Sequence, residues 1–135
     1  MKLLIPTDSI EFSQQAYDFL SKQILQICTQ LYFVHVVPNA NDLESIYPNV
    51  KEKLLGQGEI LIEQSMKLFQ ETGVFIDGKA VIGKPSIEIV NIANEEGVDV
   101  IVIGNRNNTA EGEYTFGSVS YGVVHLSTQP VLVIK

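Results

Sequence analysis

The chain has 135 residues, of which 45% are hydrophobic and 19% are charged, and its formal net charge at pH 7 is −7. This length suffices for one domain that buries its core without disulfides or metal ions. The acidic excess argues against a nucleic-acid-binding protein, which normally has a basic face, and against binding to an anionic membrane surface.

The composition also gives an expectation for the compartment. No apolar run approaches the roughly 18 residues that span a bilayer, and the opening segment MKLLIPTD lacks the pattern of a signal peptide. The single cysteine, Cys28, excludes an internal disulfide and fits a reducing compartment. We therefore expect a cytoplasmic protein with no membrane partner.

The first part of the chain predicts a strand, a helix and a second strand. Lys2–Pro6 is a short apolar segment that ends in proline, and residues 7–9 are of types that cap helices. Apolar residues then recur at helical spacing and predict an amphipathic helix over 10–28. Residues 31–37 form a second apolar run, which Pro38 ends.

A long helix is predicted next. Apolar positions keep a helical period from Val50 to about Thr72. Gly56 and Gly58 weaken its first half by roughly 1 kcal/mol each, which leaves a break there open. Gly73 fits the C-cap position.

A less apolar strand and a short helix follow. Residues 74–82 predict a third strand near the edge of the sheet, because Asp77 and Lys79 interrupt its apolar run. Ser86 comes after a turn that contains glycine and proline, and it is the predicted N-cap of a short helix that Gly97 ends.

The last third predicts a strand over 98–103, a polar loop, a helix over 119–126 and a strand over 131–134. Strands that alternate with helices and are nearly all apolar indicate an α/β fold, with an open parallel sheet covered by helices on both faces. In such sheets ligands bind beyond the carboxyl ends of the strands, where the strand order reverses. The segments expected to meet there are 6–8, 35–37 and 104–106.

The stretch from Val100 to Val124 carries the functional signal. A buried strand, a glycine-marked loop and a helix start at Gly117-Ser118 make a candidate phosphate cradle. Unpaired N–H groups at a helix start favour anions, and glycine lets a phosphate approach the backbone. The alternative is structural, because Gly104 also fits the end of a strand and Gly117-Ser118 a helix cap.

Along essentially its whole length the chain resembles the universal stress protein family. Nucleotide-binding members of that family carry Gly, two residues, Gly, nine residues, and then Gly followed by Ser or Thr. Here this spacing runs from Gly104 through Asn107 to Gly117-Ser118. Other segments typical of the family are LLIPTDSIEFS, HVV at 35–37, GKPSIEIV at 83–90, VDVIVIGNR and GSVS…STQPVLVIK.

The resemblance implies one universal stress protein domain over residues 1–135, with a five-stranded parallel sheet of order 3-2-1-4-5. This is a Rossmann-like fold of the adenine nucleotide alpha hydrolase-like type. The resemblance also implies a homodimer that pairs the last strands, Val131–Ile134, antiparallel. Its function would be that of a dimeric stress-response regulator that binds ATP or a related adenine nucleotide, with or without Mg²⁺.

For ATP-binding members the resemblance places adenine near Asp8 and the backbone of Val36. Ribose and phosphates then lie along Ile103-Gly104, Arg106 and the start of the last helix. The candidate ligand-binding residues are Pro6, Thr7, Asp8, Val36, Ile103, Gly104, Arg106, Asn107, Gly117, Ser118, Val119 and Ser120. No catalytic residue and no metal ligand is assigned.

Two features depart from the family's pattern. Asn107 stands in place of the second glycine. Asparagine tolerates a left-handed backbone better than other non-glycine residues, but its side chain takes space that glycine leaves to phosphate. The loop also holds Glu111 and Glu113, whose carboxylates repel a triphosphate unless they point away or bind it through Mg²⁺.

Several candidate residues have a structural alternative. Asp8 is either an adenine contact or a cap of the first helix. Arg106 either binds phosphate or pairs with a glutamate of its own loop. Ser118 and Ser120 either cap the last helix or donate hydroxyl hydrogen bonds to phosphate.

Residues outside the cradle offer little chemistry. His35 lies in an apolar strand and is expected to be a hydrogen-bonded structural residue, and Cys28 is expected to be packed. The sequence has no metal-ligand spacing, no G-x-S-x-G elbow and no full P-loop. Three hypotheses for the function follow: a nucleotide-binding regulator, a dimeric interaction module that has lost nucleotide binding, and an enzyme that hydrolyses ATP slowly.

Overall fold

The computed structural model describes residues 1–39, 44, 46–105, 107–108, 114–115 and 117–135. The strands of its sheet are β1 (Lys2–Pro6), β2 (Gln30–Pro38), β3 (Phe75–Gly83), β4 (Val100–Gly104) and β5 (Val131–Ile134). The helices are α1 (Ile10–Gln23), α2 (Val50–Leu68), α3 (Pro85–Glu96) and α4 (Ser118–Leu126), with a 3-10 turn at Gln70–Thr72.

The five strands form one parallel sheet in the order β3-β2-β1-β4-β5. Separately, Asn107–Asn108 pairs antiparallel with Tyr114–Thr115. The predicted α/β fold with a parallel sheet of order 3-2-1-4-5 is confirmed.

Two apolar layers hold the helices against the sheet. On one face α1 and the end of α2 pack against β1 and β2 through a cluster that includes Phe12, Leu20, Ile62, Phe69, Leu3, Ile5 and Phe33. On the other face α3 and α4 pack through a cluster that includes Ile89, Ile92, Val123, Leu4, Val34 and Ile101. Because alternate residues of a strand face opposite layers, a central strand covered on both faces must be apolar throughout.

The third strand lies at the edge of the sheet, as predicted. Exposed Phe75, Asp77 and Lys79 alternate along β3 with the more buried Ile76 and Gly78. Charged side chains on an edge strand oppose uncontrolled pairing with other chains.

The first helix is shorter than predicted. It ends at Gln23 rather than at residue 28, and the chain then turns. The Thr29 N–H donates to the carbonyl of Met1 at 2.8 Å, which holds the start of β2 beside β1 and forces the chain to reverse. Ile27, which the helical period assigned to the buried face, is 61% exposed.

The second helix runs without a break through both of its glycines. Gly58 is required there, because a Cβ atom at this position would lie 2.7 Å from Cδ2 of His35. The missing side chain lets α2 approach the sheet closely. Gly73 ends the following 3-10 turn in a left-handed conformation with φ of 76°, as its predicted C-cap role requires.

The predicted cap of the third helix is wrong. Lys84 rather than Ser86 is the N-cap of α3, and Pro85 takes the first helical position. Proline suits that position because its fixed φ is helical and its missing N–H would have no intrahelical partner. Ser86 is instead buried inside the helix and packs closely on Gly122 of α4. A Cβ atom added at Gly122 would lie 2.7 Å from Cβ of Ser86.

Candidate functional site

A cavity of about 390 Å³ opens at the carboxyl ends of β1, β2 and β4. Ligand pockets in proteins typically measure roughly 300–1,000 Å³. Strand β1 lies between β2 and β4, so the chain crosses to opposite sides of β1 at this point. The cavity therefore lies at the switch point where open α/β sheets bind ligands.

The loop after β1 forms one wall of the cavity. The Thr7 N–H donates to the carbonyl of Val34 at 2.8 Å, which extends the pairing of β1 with β2 by one residue. Thr7 is buried, whereas Asp8 is exposed at the cavity wall. Ser9 is the N-cap of α1 and accepts from the Phe12 N–H at 3.2 Å. The capping role proposed as an alternative for Asp8 thus belongs to Ser9.

A chain of hydroxyl groups anchors that loop in the core. Oγ1 of Thr7 lies 2.7 Å from Oγ of Ser13, which lies 2.7 Å from Oγ of Ser65 on α2. All three residues are buried, and the Thr7 hydroxyl also reaches the carbonyl of Ser9 at 2.8 Å. Buried hydroxyls that are mutually hydrogen-bonded fix a single arrangement of the elements that carry them.

The predicted structural role of His35 is confirmed. Its Nδ1 lies 2.8 Å from the carbonyl oxygen of Thr7. Because a carbonyl only accepts, Nδ1 carries a proton and donates this hydrogen bond. The ring lines the cavity and ties β2 to the loop after β1.

The backbone of β2 continues past the end of β1. Pro6 pairs with Val34, and beyond that point β2 pairs only with β3. The carbonyl of Val34 points toward β1, and peptide groups two residues apart along a strand point to the same side. The peptide groups of Val36 therefore point past the end of β1, where the cavity opens.

Gly104 ends β4 at the cavity and also has a packing role. A Cβ atom here would lie 2.9 Å from Cδ2 and Cε2 of Phe12. The glycine thus lets the ring of Phe12 close one side of the cavity, whose wall also includes Ile103.

The start of α4 forms the wall next to Gly104. Gly117 is the N-cap and has no side-chain capping bond, and Ser118 and Val119 begin the helix with exposed side chains. The first N–H groups of a helix have no intrahelical partner and favour anions. The hydroxyl of Ser120 does not cap the helix, because it donates to the carbonyl of Gly104 at 3.0 Å, and its contact with phosphate stays a prediction.

The structure thus brings together ten of the twelve candidate residues, from Pro6, Thr7 and Asp8 to Ser120. Arg106, Glu111 and Glu113 lie outside the described residues, so their roles stay predictions. The backbone of Asn107 pairs with that of Thr115.

Sequence reasoning missed an apolar part of the lining. Phe12, Pro38, Pro85 and Ile89 all line the cavity. Pro38 ends β2 and Pro85 begins α3, so both prolines lie at the carboxyl edge of the sheet. Applied to residues 38 and 85, the rule that ligands bind at this edge would have identified both prolines as lining residues.

The cavity carries little charge. Among the described residues that line it, Asp8 is the single acid, His35 is the single imidazole, and there is no lysine or arginine. No group of His, Cys, Asp and Glu in the described part of the chain has the arrangement of a metal site. Cys28 lies elsewhere in the core, where burial raises the pKa of its thiol and disfavours a reactive thiolate. Within the described ranges, no helix has the length and apolar character that crossing a membrane requires.

Comparison with known proteins identifies relatives along the whole chain. The family model described as the universal stress protein family matches residues 1–135. Universal stress protein MJ0577 of Methanocaldococcus jannaschii is 28% identical over 152 residues, which cover 99% of this chain and 94% of the relative. The solved structure of MJ0577 has a TM-score of 0.79 and 31% identity, over 99% of this chain and 94% of that chain.

Two nucleotide complexes share the fold. The universal stress protein from Archaeoglobus fulgidus in complex with dAMP has a TM-score of 0.77 and 20% identity, covering 100% of this chain and 98% of that one. A universal stress protein family protein from Arabidopsis thaliana with AMP bound has a TM-score of 0.70 and 19% identity, covering 100% and 91%. Together with the family match over every residue, these likenesses lead to one conclusion: the chain belongs to the universal stress protein family.

Proposed function

We propose that the protein binds ATP or a related adenine nucleotide in the cavity at the ends of β1, β2 and β4. It would act as a dimeric stress-response regulator in the cytoplasm, through binding rather than catalysis. The observation that carries the proposal is the convergence of three strand ends and the start of α4 on one cavity of suitable volume. The dAMP and AMP complexes of proteins with this fold support it.

The two ends of the cavity suit the two ends of a nucleotide. The peptide groups of Val36 offer a donor and an acceptor, which the edge of an adenine base can match. Asp8, in the loop after β1, also lines the cavity. The start of α4 at Gly117-Ser118 offers N–H groups to a phosphate. The ribose would lie between these ends, beside Ile103 and Gly104.

Calorimetric titration with ATP-Mg²⁺, ADP and AMP tests the proposal. We expect saturable binding, and ligand at about 100 times its Kd should raise the free energy of unfolding by about 2.7 kcal/mol. Asp8→Ala and Arg106→Ala should weaken binding. Matched controls are Glu71→Ala and Lys67→Ala, which remove exposed charges far from the cavity. A flat titration with all three nucleotides would exclude the proposal.

The homodimer is a further part of the proposal. Among the strands that the structure describes, β5 lies at the edge of the sheet and pairs with β4 alone. Beside it, α4 exposes the apolar side chains of Tyr121, Val124 and Leu126. An open strand edge next to exposed apolar side chains suits antiparallel pairing with a second copy of the chain.

The second candidate function is a dimeric interaction module without nucleotide. The close packing of Gly104 on Phe12 favours this function, because the packing by itself explains why position 104 is glycine, without any ligand. Asn107 and the two loop glutamates favour it as well. In that case Asn107→Gly, combined with Glu111→Gln and Glu113→Gln, should create nucleotide binding that the parent lacks.

A further inference from the structure

We propose that helix α2 positions the Thr7–Asp8 segment of the nucleotide site, and that Gly58 and Ser65 are its positioning residues. The inference rests on the proposed nucleotide-binding function and adds a determinant of affinity to it. None of the described residues that line the cavity belongs to α2. The helix therefore acts on a nucleotide through the loop after β1, not by contact.

The backbone of Thr7 is held on both sides by strand β2. Its N–H donates to the carbonyl of Val34 at 2.8 Å. Its carbonyl oxygen accepts from Nδ1 of His35, also at 2.8 Å. This carbonyl belongs to the planar peptide group that carries the N–H of Asp8. The two bonds consequently fix the orientation in which the chain enters Asp8, which lines the cavity.

A first connection from α2 reaches Thr7 through hydroxyl groups. The Thr7 hydroxyl donates its one proton to the carbonyl of Ser9, so Ser13 is the donor at the 2.7 Å contact between the Thr7 and Ser13 hydroxyls. By the same count of protons, Ser65 donates to Ser13 at 2.7 Å. Donation thus runs in one direction, from α2 through α1 to the loop. Because hydrogen bonds in a buried chain strengthen one another, loss of the Ser65 hydroxyl weakens the bond to Thr7.

A second connection from α2 reaches Thr7 through an imidazole ring. A Cβ atom at Gly58 would lie 2.7 Å from Cδ2 and 3.6 Å from Cγ of His35, so the backbone of the helix lies directly against the ring. The same ring holds the carbonyl of Thr7 through Nδ1. A side chain at position 58 would therefore displace the ring and disturb this bond.

Both connections start from one face of α2. Gly58 and Ser65 are seven residues, or about two turns, apart, and both are buried. Ile62 lies between them on the same face, and its side chain packs in the apolar cluster without taking part in these hydrogen bonds. Because two separate connections end on Thr7, the position of the Thr7–Asp8 segment depends on that of α2.

The experiment is calorimetric titration of the full chain and its variants with AMP and with ATP-Mg²⁺. Ser65→Ala and Gly58→Ala should each weaken binding about threefold to tenfold, a range typical of residues that act on a site without touching the ligand. Ile62→Val is the matched control for Ser65→Ala, because it lowers the stability of the same helix face by a similar amount and should leave affinity unchanged. Gly56→Ala is the control for Gly58→Ala.

A double-mutant cycle separates positioning from general destabilisation. If Ser65 acts through the Thr7–Asp8 segment, Ser65→Ala should weaken binding much less in an Asp8→Ala background than in the parent. A general effect on the fold would weaken binding by the same factor in both backgrounds. All titrations are made at a temperature at which thermal unfolding shows each variant to be folded.

The outcomes distinguish this inference from the proposed function. Nucleotide binding that neither Ser65→Ala nor Gly58→Ala weakens would overturn the role of α2 and leave nucleotide binding intact. An equal loss of affinity in Ile62→Val, or in the two backgrounds of the cycle, would also overturn it. An absence of binding by the parent would refute the proposed function, and the inference with it.

Discussion

The hydroxyl of Ser120 donates to the carbonyl oxygen of Gly104 at 3.0 Å and thereby joins the start of α4 to the end of β4. The two residues are 16 positions apart, and both line the cavity. This bond fixes the spacing between the two elements from which a phosphate would be held. A nucleotide site here would therefore be partly formed before ligand binds.

Ser120→Ala should destabilise the protein by about 0.5–1.5 kcal/mol, because it removes this hydrogen bond. Ser118→Ala is the matched control, since Ser118 is exposed at the first position of the same helix. Urea unfolding followed by circular dichroism measures both variants. Equal stabilities would mean that the bond to Gly104 contributes nothing.

The two glycines of α2 predict opposite effects of the same substitution. Gly58→Ala should destabilise by about 1–3 kcal/mol, because the new methyl group would overlap the ring of His35. A Cβ atom at Gly56 would have no atom of another described element within 4 Å, so Gly56→Ala should stabilise the protein by roughly 0.5–1 kcal/mol through helix propensity. If both variants stabilised the protein, α2 would lie farther from the sheet than the structure has it.

The chain of buried hydroxyl groups predicts that Ser13→Ala lowers the free energy of unfolding more than Ser65→Ala does. Ser13→Ala removes the central group, leaves Ser65 without its partner and should cost about 1–3 kcal/mol. Ser65→Ala removes the end of the chain, and Ser13 keeps the hydroxyl of Thr7, so the cost should be about 0.5–1.5 kcal/mol. Chemical denaturation gives both values. The reverse order would show that Ser13 does not hold the chain together.

The proposed dimer can be tested without disturbing the sheet. The Ile101 N–H donates to the carbonyl of Pro130, and peptide groups alternate along a strand, so those of Val131 and Val133 point away from β4. Val133→Pro therefore removes an outward N–H and should yield a folded monomer, because proline is tolerated at such positions. Analytical ultracentrifugation measures the mass.

Leu132→Pro is the comparison for that variant. It removes an N–H that points toward β4 and should reduce the stability of the fold itself. A Val133→Pro variant that stays dimeric would exclude pairing through β5.

Local sequence determined the fold to a large extent. The apolar runs of β1 and β5 were predicted with the bounds that the structure gives them, because strands buried on both faces must be apolar throughout. The strand ends that meet at the cavity followed from the parallel topology, since carboxyl ends then share one edge. The strand order itself came from resemblance, because periodicity carries no information on which strands are neighbours.

Tertiary structure alone decided the finer features. The end of α1 is set by the bond between Thr29 and Met1, which are 28 residues apart. The need for glycine at position 58 arises from a ring on another element. Helical and strand periods describe near neighbours in sequence, whereas these constraints come from atoms that only the folded chain brings together.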